Sequence, residues 1–347
     1  MLSLIDNVDD NILYYRSRGD SMTIKNEVLS VLEQNRNAVI SGQMLAEKLN
    51  VSRSAIWKAI KSLQADGYKI YATTNKGYQL DINSDLMSAA GIRAFLSEQN
   101  KNCQIFVYKT LDSTNSEAKR LALGGAQHGT IIVAEEQTAG RGRVGKTFFS
   151  PPKTGIYMSF ILRPQVDIND SQLVTVYAAV SVCKVVERLT GLCPQIKWVN
   201  DIYLNGKKIC GILTEAISDF ESGSIESIIV GVGINFSTKQ DDFPLELRNI
   251  AGSLFATGIS RNKFAAALID EIMAHGDFLF QSNLVELYKE RSLMLGREII
   301  CQKNGLTVCG TVLDINEKGN LVVKTKPGQI DVLHSGEVKI VSKNYNS

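Results

Sequence analysis

Residues 140–152 read GRGRVGKTFFSPP; the first seven hold three glycines, two arginines and a lysine, the residue types that bind phosphate. Gly140, Gly142 and Gly145 spell G-x-G-x-x-G, the dinucleotide fingerprint, while Gly140 with Gly145, Lys146 and Thr147 spells the triphosphate loop G-x-x-x-x-G-K-[ST]. Either pattern needs a loop that runs straight into a helix, whose first N–H groups then face the phosphates. Here Pro151 and Pro152 follow within a few residues of Thr147. Neither can donate a backbone hydrogen bond, and each biases its predecessor away from helix. The chain resumes as GIYMSFIL, an apolar run that reads as a buried strand. The expected order is therefore strand (131–134), loop, strand (156–162), with no crossover helix. There is no convincing acidic partner about 20 residues further on, nor a clear apolar strand ending in a magnesium-binding Asp. A glycine-rich turn that merely tolerates charge is the plain alternative. Two arginines inside it favour a loop that closes over an anion.

A second cationic candidate lies in IYLNGKKICGILTEA, which reads as a hairpin with Asn205 and Gly206 as its tight turn. Lys208 on the returning strand would aim inward, with Gly211 leaving space for a ligand, and Lys207 would point to the opposite face. A solvated lysine beside a turn is the alternative. DSTN at 112–115 is rich in side-chain donors and acceptors, although the same four residue types also cap helices.

Ahead of these groups stands a different unit. Ile24, Val28, Val31 and Leu32 recur at helical spacing. A second helix ends at a break at Asn50 and Val51; a third is N-capped by Ser52 and ended by Gly67. Leu45, Ala46 and Leu49 face inward on the second, and Ala55, Ile56, Ile60 and Leu63 on the third. Two antiparallel strands follow around TTNKG, which completes a winged helix-turn-helix. Residues 22–80 hold eight Lys or Arg against four acids, whereas the whole chain has a net charge of only +2. The basic character is thus local, which points to DNA under the third helix. Ser52, Arg53, Ser54, Lys58 and Lys61 are placed to reach phosphates and base edges. A winged helix that binds protein is the alternative. Specific DNA binding by such a module implies a dimer.

Four clusters, DSTN, EEQTAGRGRVG (135–145), KWVNDIYLNGKKICGILTE (197–215) and GVGINF (231–236), stand in this order behind the winged helix. Together they resemble the bifunctional biotin–protein ligases that double as biotin operon repressors, over nearly all of residues 22–347. The resemblance implies an α+β multidomain fold: an N-terminal winged helix-turn-helix (22–84), a central α/β ligase domain with a mixed sheet (85–295), and a C-terminal SH3-like β-barrel (296–347). It implies biotin and ATP as substrates, with Mg2+ following from ATP. The activity would be that of a biotin–[biotin carboxyl carrier protein] ligase: biotinyl-5′-AMP forms, and biotin passes to a lysine of the carrier. It also implies operator DNA and a ligand-induced homodimer. No covalent enzyme intermediate is needed, in keeping with three scattered histidines and no nucleophile triad.

By the same resemblance, Ser113, Thr114 and Asn115 would hydrogen-bond the ureido ring of biotin, with Gln137 on the opposite side. Arg141, Gly142 and Arg143 would fold over carboxylate and phosphate, and Lys208 would be the central catalytic lysine. Gly211 would give the ligand room, Lys197, Asn200 and Asp201 would flank the nucleotide, and Asn235 its adenine or ribose end. Phe148 or Phe149 would stack on adenine. The family usually reads KWPND, so Val199 is a departure that loosens the turn. Two alternatives stay open: a sensor–repressor that binds biotin without ligating it, disfavoured by the complete set Arg141, Arg143 and Lys208, and a lipoate or octanoyl transferase.

The rest of the chain sets limits. At 347 residues the prior is two or three domains. No run of about 18 apolar residues suggests a membrane span, and six cysteines without a C-x-x-C pair read as reduced thiols in a cytoplasmic protein. No metal ligand set is visible. Residues 1–21 read as a disordered extension, or alternatively a short docking helix. From residue 296 the period is two, with turns at 304–305, 317–320 and 326–329, as in a small barrel of five or six strands.

Overall fold

The computed structural model describes residues 12–14, 23–36, 38–73, 76–163, 171–218, 225–274, 283–303, 306–325 and 328–341. A short strand, β1 (Ile12–Tyr14), precedes three capped helices, α1 (Ile24–Gln34), α2 (Gly42–Leu49) and α3 (Arg53–Ala65). Each helix starts at a hydroxyl that accepts a backbone N–H: Thr23 from Asn26 at 3.3 Å, Ser41 from Met44 at 3.0 Å, Ser52 from Ala55 at 3.2 Å. Such a bond satisfies one of the donors a helix start leaves open. α2 stops at Asn50 in the left-handed conformation (φ 51°), and Gly67 (φ 96°) turns the chain after α3. Val28, Leu29, Leu32, Leu45, Ile56, Ile60 and Leu63 form a small core, closed by the hairpin β2 (Ile70–Thr73) and β3 (Gly77–Leu80). One inward expectation fails: on α3 Ala59 is buried and Ala55 only half-buried. Ile24, the first residue of α1, shares the helical spacing of Val28, Val31 and Leu32 but lies beyond the core and is exposed, while Leu29 is buried. Residues 74–75 of the expected turn lie outside the described residues.

A short helix, α4 (Ala89–Arg93), leads into an alternation of strands and helices: β4 (Ile105–Tyr108), α5 (Thr114–Leu123), β5 (Thr130–Ala134), β6 (Gly155–Leu162), α6 (Ser171–Thr190), β7 (Gln195–Lys197), β8 (Asp201–Leu204), β9 (Lys207–Ser218), β10 (Ile225–Asn235), α7 (Arg261–Met273) and α8 (Leu284–Glu290). The strands make one mixed sheet in the order β1-β4-β5-β6-β10-β9-β8-β7, in which only β4 and β5 run parallel. Within the segment expected to be disordered or helical, residues 12–14 form β1, which adds an antiparallel edge to the sheet by pairing with β4; the rest of 1–21 lies outside the described residues.

β6 is buried along its whole length, as a strand covered on both faces must be. On one face Ile156, Met158, Phe160, Val230, Val232 and Ile234 share a core with α6 and α7. On the other, Ile132, Ile161 and Ile229 pack with Ala118 and Ala122 of α5. α5 covers only part of that second face; the remainder, over Gly211, Gly231 and Gly233, lines a cavity.

β11 (Glu298–Lys303), β12 (Leu306–Ile315), β13 (Leu321–Thr325), β14 (Ile330–Leu333) and β15 (Val338–Ile340) form an antiparallel sheet in the order β14-β13-β12-β11-β15. Among the described residues β14 and β15 end this order without pairing, so the expected SH3-like barrel is seen as a five-stranded antiparallel sheet. Its Ile299, Val312, Leu321 and Val323 join the central core, and Trp198 donates its indole N–H to Gly319 O at 2.8 Å. The cysteines are free, and no helix among the described residues is long and apolar enough to cross a membrane.

Candidate active site

The cavity, of about 410 Å³, is built on one cross-strand row. Lys197 of β7 pairs with Asp201 of β8, Asp201 with Gly211 of β9, Gly211 with Gly233 of β10, and Gly233 with Tyr157 of β6. Residues opposed in a ladder share a face, so these side chains look into one space. Lys208 joins them through an irregularity. In a regular strand Lys208 and Gly211 would face opposite ways, being an odd number of residues apart. The β8/β9 register slips at this point, pairing Tyr203 with Lys208 but Ile202 with Cys210. The unmatched Ile209 turns Lys208 onto the face of Gly211, as a bulge does, and its Nζ lies 2.6 Å from Asp201 Oδ1. The hairpin ahead of it has the expected turn, with Asn205 (φ 50°) and Gly206 (φ 76°) both left-handed. Lys207 instead donates to Arg248 O at 3.1 Å.

Glycine is required where the floor is crossed. A Cβ on Gly231 would lie 1.9 Å from Asn115 Oδ1, and one on Gly233 would lie 2.6 Å from the Phe148 ring. The DSTN turn thus lies directly on the sheet. Ser113 holds the N-cap position of α5, yet its hydroxyl makes no capping hydrogen bond and the residue is buried, lining the cavity. Thr114 donates its N–H to Gln137 Oε1 at 2.8 Å and its hydroxyl to the same atom at 3.2 Å. Gln137 thus adjoins this turn and lines the same cavity. Ser159, wholly buried on β6, donates to Thr114 Oγ1 (2.8 Å) and Asn115 Oδ1 (2.7 Å). Both amide hydrogens of Asn115 are used, on Leu213 O (3.1 Å) and Glu215 Oε2 (3.0 Å).

The glycine–arginine loop closes on itself. Gly142 N–H donates to Lys146 O at 2.7 Å, Phe148 N–H to Gly140 O at 2.8 Å, and Arg143–Gly145 form a single tight turn with Val144 at φ 52°. It then runs into β6 with no helix, so the requirement of both nucleotide-loop patterns is unmet. Arg141 pairs with Glu215 at 3.1 Å, and Arg143 donates to Asn200 Oδ1 at 3.1 Å. Asn200 is held in turn by Ile212 O at 2.7 Å, and Asn235 by Gly252 O at 3.0 Å. Lys146, the residue a triphosphate loop would depend on, instead pairs with Glu337, which immediately precedes β15. Burial pushes the Lys197 ammonium below its ordinary pKa, with Asp201 opposing the shift.

The structure brings Ser113, Thr114, Asn115, Gln137, Arg141, Gly142, Arg143, Lys197, Asn200, Asp201, Lys208, Gly211 and Asn235 to this one cavity. Phe148 and Phe149 line it too, Phe148 over Gly211 and Gly233 and Phe149 against Phe243 with ring centroids 5.9 Å apart. Val199 follows a cis Trp198–Val199 peptide, and Asn200 and Asp201 still reach the site. Sequence reasoning missed Tyr157, Tyr203, Gly231, Gly233 and residues 336–339, which lead into β15 and also line it. Only the alternating glycines of GVGINF carried a readable signal, namely one strand face without side chains. Among the described residues no group of three or more His, Cys, Asp or Glu could hold a metal ion.

The five residues expected to face DNA behave as a set. Arg53, Ser54, Lys58 and Lys61 are exposed on α3, and Ser52 is exposed with its hydroxyl engaged in capping and 2.8 Å from Ser54 Oγ. Trp57, which sequence reasoning passed over, is 54% exposed between them, with Lys61 Nζ 5.9 Å from its ring.

Residues 107–235 match the biotin/lipoate A/B protein ligase family, and residues 25–79 match a helix-turn-helix domain. The bifunctional ligase/repressor BirA of Bacillus subtilis (strain 168) is 33% identical over 326 residues, covering 92% of this chain and 99% of that protein. BirA of Escherichia coli (strain K12) is 27% identical over 87% of this chain and 93% of its own length. A solved biotin protein ligase from Aquifex aeolicus, in complex with biotin and ATP, aligns with a TM-score of 0.57 and 30% identity over 68% of this chain and 98% of its own. With this overlap running from the winged helix to the C-terminal sheet, the chain belongs to the family of bifunctional biotin ligase/repressors.

Proposed function

We propose that this chain is an ATP-dependent biotin–protein ligase, with biotin and ATP meeting in the cavity described above, and that it also acts as a biotin-responsive repressor. The observation that carries the ligase half is the β9 bulge, which aims Lys208 at Asp201 and Gly211 while Arg141 and Arg143 approach from the facing loop. The first step joins two anions: a biotin carboxylate oxygen attacks the α-phosphorus of ATP and pyrophosphate leaves. Lys208, Arg141 and Arg143 would neutralise that encounter, which is electrostatic stabilisation by fixed cations. Prior placement of both substrates lowers the barrier further. In the second step the amine of a carrier lysine attacks the acyl carbon and AMP leaves. The described residues offer no all-protein metal cage, so Mg2+ would ride on the phosphate oxygens, within reach of Asp201.

The ring end follows from hydrogen-bond inventory. Both Asn115 amide hydrogens are taken and its Oδ1 has spare acceptor capacity, which suits a ureido N–H. Ser113, free of capping duty, would donate to the ureido carbonyl. Lys197, Asn200, Asp201, Gly211 and Asn235 would frame the nucleotide, with Phe148 against adenine. We take the working units as 22–84, 85–295 and 296–347. The acceptor would be a biotin carboxyl carrier protein, the DNA an operator read by α3 of a ligand-induced homodimer, and the compartment the cytoplasm.

Mass spectrometry of a biotin-acceptor domain incubated with this protein, biotin and Mg-ATP tests the ligase. One biotin-sized gain is expected, lost or strongly slowed in Lys208→Ala and Arg141→Ala but far less affected in Lys146→Ala. No gain with wild-type protein would refute it. For the repressor, DNA affinity at matched salt should rise with biotin plus ATP; ligand-independent binding would sink the switch.

A further inference from the structure

One carboxylate, to which the sequence motifs give no role, holds the two halves of the site together. Glu215 lies on β9 two residues beyond Leu213, paired with Ile229 of β10. Its Oε2 accepts from Asn115 Nδ2 at 3.0 Å and from Arg141 Nη1 at 3.2 Å, and its Oε1 lies 3.1 Å from Arg141 Nη2. The fork of Arg141 is thus held by both oxygens, and the amide of Asn115 is fixed at one end by Glu215 and Leu213 O and at the other by Ser159. A negative charge beside an anion site weakens anion binding unless its geometric effect is larger. Here that effect is plain: Arg141 sits on a loop tied outward by the side chains of Arg143 and Lys146, its own side chain is 45% exposed, and Glu215 is the partner that holds it. Without an anchor it would sample many rotamers, each of which ligand binding must then freeze out.

We propose that Glu215 is a positioning residue that ties the seating of Arg141 to the orientation of Asn115, and so governs how tightly the acyl-adenylate is retained between the two half-reactions. When a ligand ring rests against Asn115 and its phosphate against Arg141, Glu215 keeps both groups in register, and the remaining N–H donors of Arg141 face the ligand. This rests on the ligase reading above, because the two occupied subsites are those of one adenylate.

The test compares Glu215→Ala and Glu215→Gln with wild-type full-length protein. Four quantities are read: the KM for biotin, the turnover at saturating biotin, the rate at which biotinyl-5′-AMP escapes when no acceptor is present, and the thermal midpoint. A half-exposed ion pair is worth at most about 1 kcal/mol, or roughly fivefold. Glu215→Ala should therefore raise both KM and escape by about that factor, slow turnover by no more than that factor, and lower the thermal midpoint by about 2–4 °C. Glu215→Gln, which keeps one acceptor, should fall between Ala and wild type. Tighter biotin binding by Glu215→Gln would overturn the proposal, since Glu215 would then be a competitor for Arg141. Wild-type behaviour of Glu215→Ala, or a loss of turnover and thermal midpoint at constant KM, would overturn it equally. Failure of the wild-type protein to make any adenylate would strike instead at the ligase reading itself.

Discussion

Replacing Arg261 with Met would cut the tie that holds both ends of the glycine–arginine segment. Arg261 opens α7 and is wholly buried. Its Nη1 donates to Glu135 Oε2 at 2.8 Å and to Gly155 O at 3.0 Å, and its Nη2 to Glu135 Oε1 at 3.2 Å. Its Nε and backbone N–H donate to the two oxygens of Asp85 at 3.1 and 3.0 Å. Glu135 follows β5, where the loop segment begins, and Gly155 opens β6, where it ends. Met fills similar volume but leaves Glu135 buried with one remaining donor, the N–H of Met87. Removing one partner of a buried pair costs about 3–5 kcal/mol, because the other charge stays out of water. With a urea slope of about 2 kcal/mol per molar, the midpoint should fall by roughly 1.5–2.5 M. Urea unfolding followed by Trp198 fluorescence in a Trp57→Phe background isolates the central unit, since Trp198 is buried there. Arg261→Met/Glu135→Gln should recover about half of the loss, and at low urea the single variant should show a raised KM for biotin. A deficit under about 1 kcal/mol, or no recovery in the double variant, would refute the view that this ion cluster anchors the loop.

Gly231→Ala would drive a methyl group into Asn115, 1.9 Å from its Oδ1, and must dislodge an amide with three partners. Titration calorimetry should show biotin binding at least tenfold weaker, about 1.4 kcal/mol or more, and unchanged affinity would argue against Asn115 as a ring contact. Lys197 has a pKa depressed mainly by burial. The folded state therefore resists its protonation below the unfolded value, and stability linked to it rises as pH climbs through the folded pKa. Lys197→Met should accordingly be at least as stable as wild type near neutrality, an advantage that fades toward pH 10–11, while nucleotide binding weakens; lower stability near neutrality would contradict the assignment. Trp57 is exposed on α3 and Trp198 is buried, so duplex DNA should quench fluorescence through Trp57 alone. Quenching retained in Trp57→Phe would place the DNA elsewhere.

Much of the site was legible because its chemistry is written in short motifs. Arg141 and Arg143 flank a glycine, DSTN holds adjacent polar groups, and Lys208 follows an Asn-Gly turn. Local rules also sufficed for the caps at Ser52 and Gly67. What escaped was carried by pairing between distant segments. Glu215 and Ser159 looked like ordinary strand residues, yet they fix Asn115. Arg261 begins a helix more than a hundred residues beyond the loop it holds. Ile24 has the helical spacing of α1 yet lies beyond its core, because periodicity defines a face but not how far along the helix the core extends.

By itself, then, the sequence determined the kinds of groups available and the local turns that present them: a loop that meets neither the dinucleotide nor the triphosphate loop pattern because prolines and a strand follow it, a hairpin with a lysine beside its turn, and a basic third helix. Those outcomes depend on interactions within a few residues, where backbone sterics and hydrogen-bond inventory act. Only the tertiary structure decided which face Lys208 occupies, since the slip at Ile209 is defined by the partner strand β8. It also brought Gly211 of β9 beside Gly231 and Gly233 of β10 under one cavity and set Glu215 between Asn115 and Arg141. Register, unlike propensity, is a property of two strands at once. A single chain segment therefore cannot reveal it.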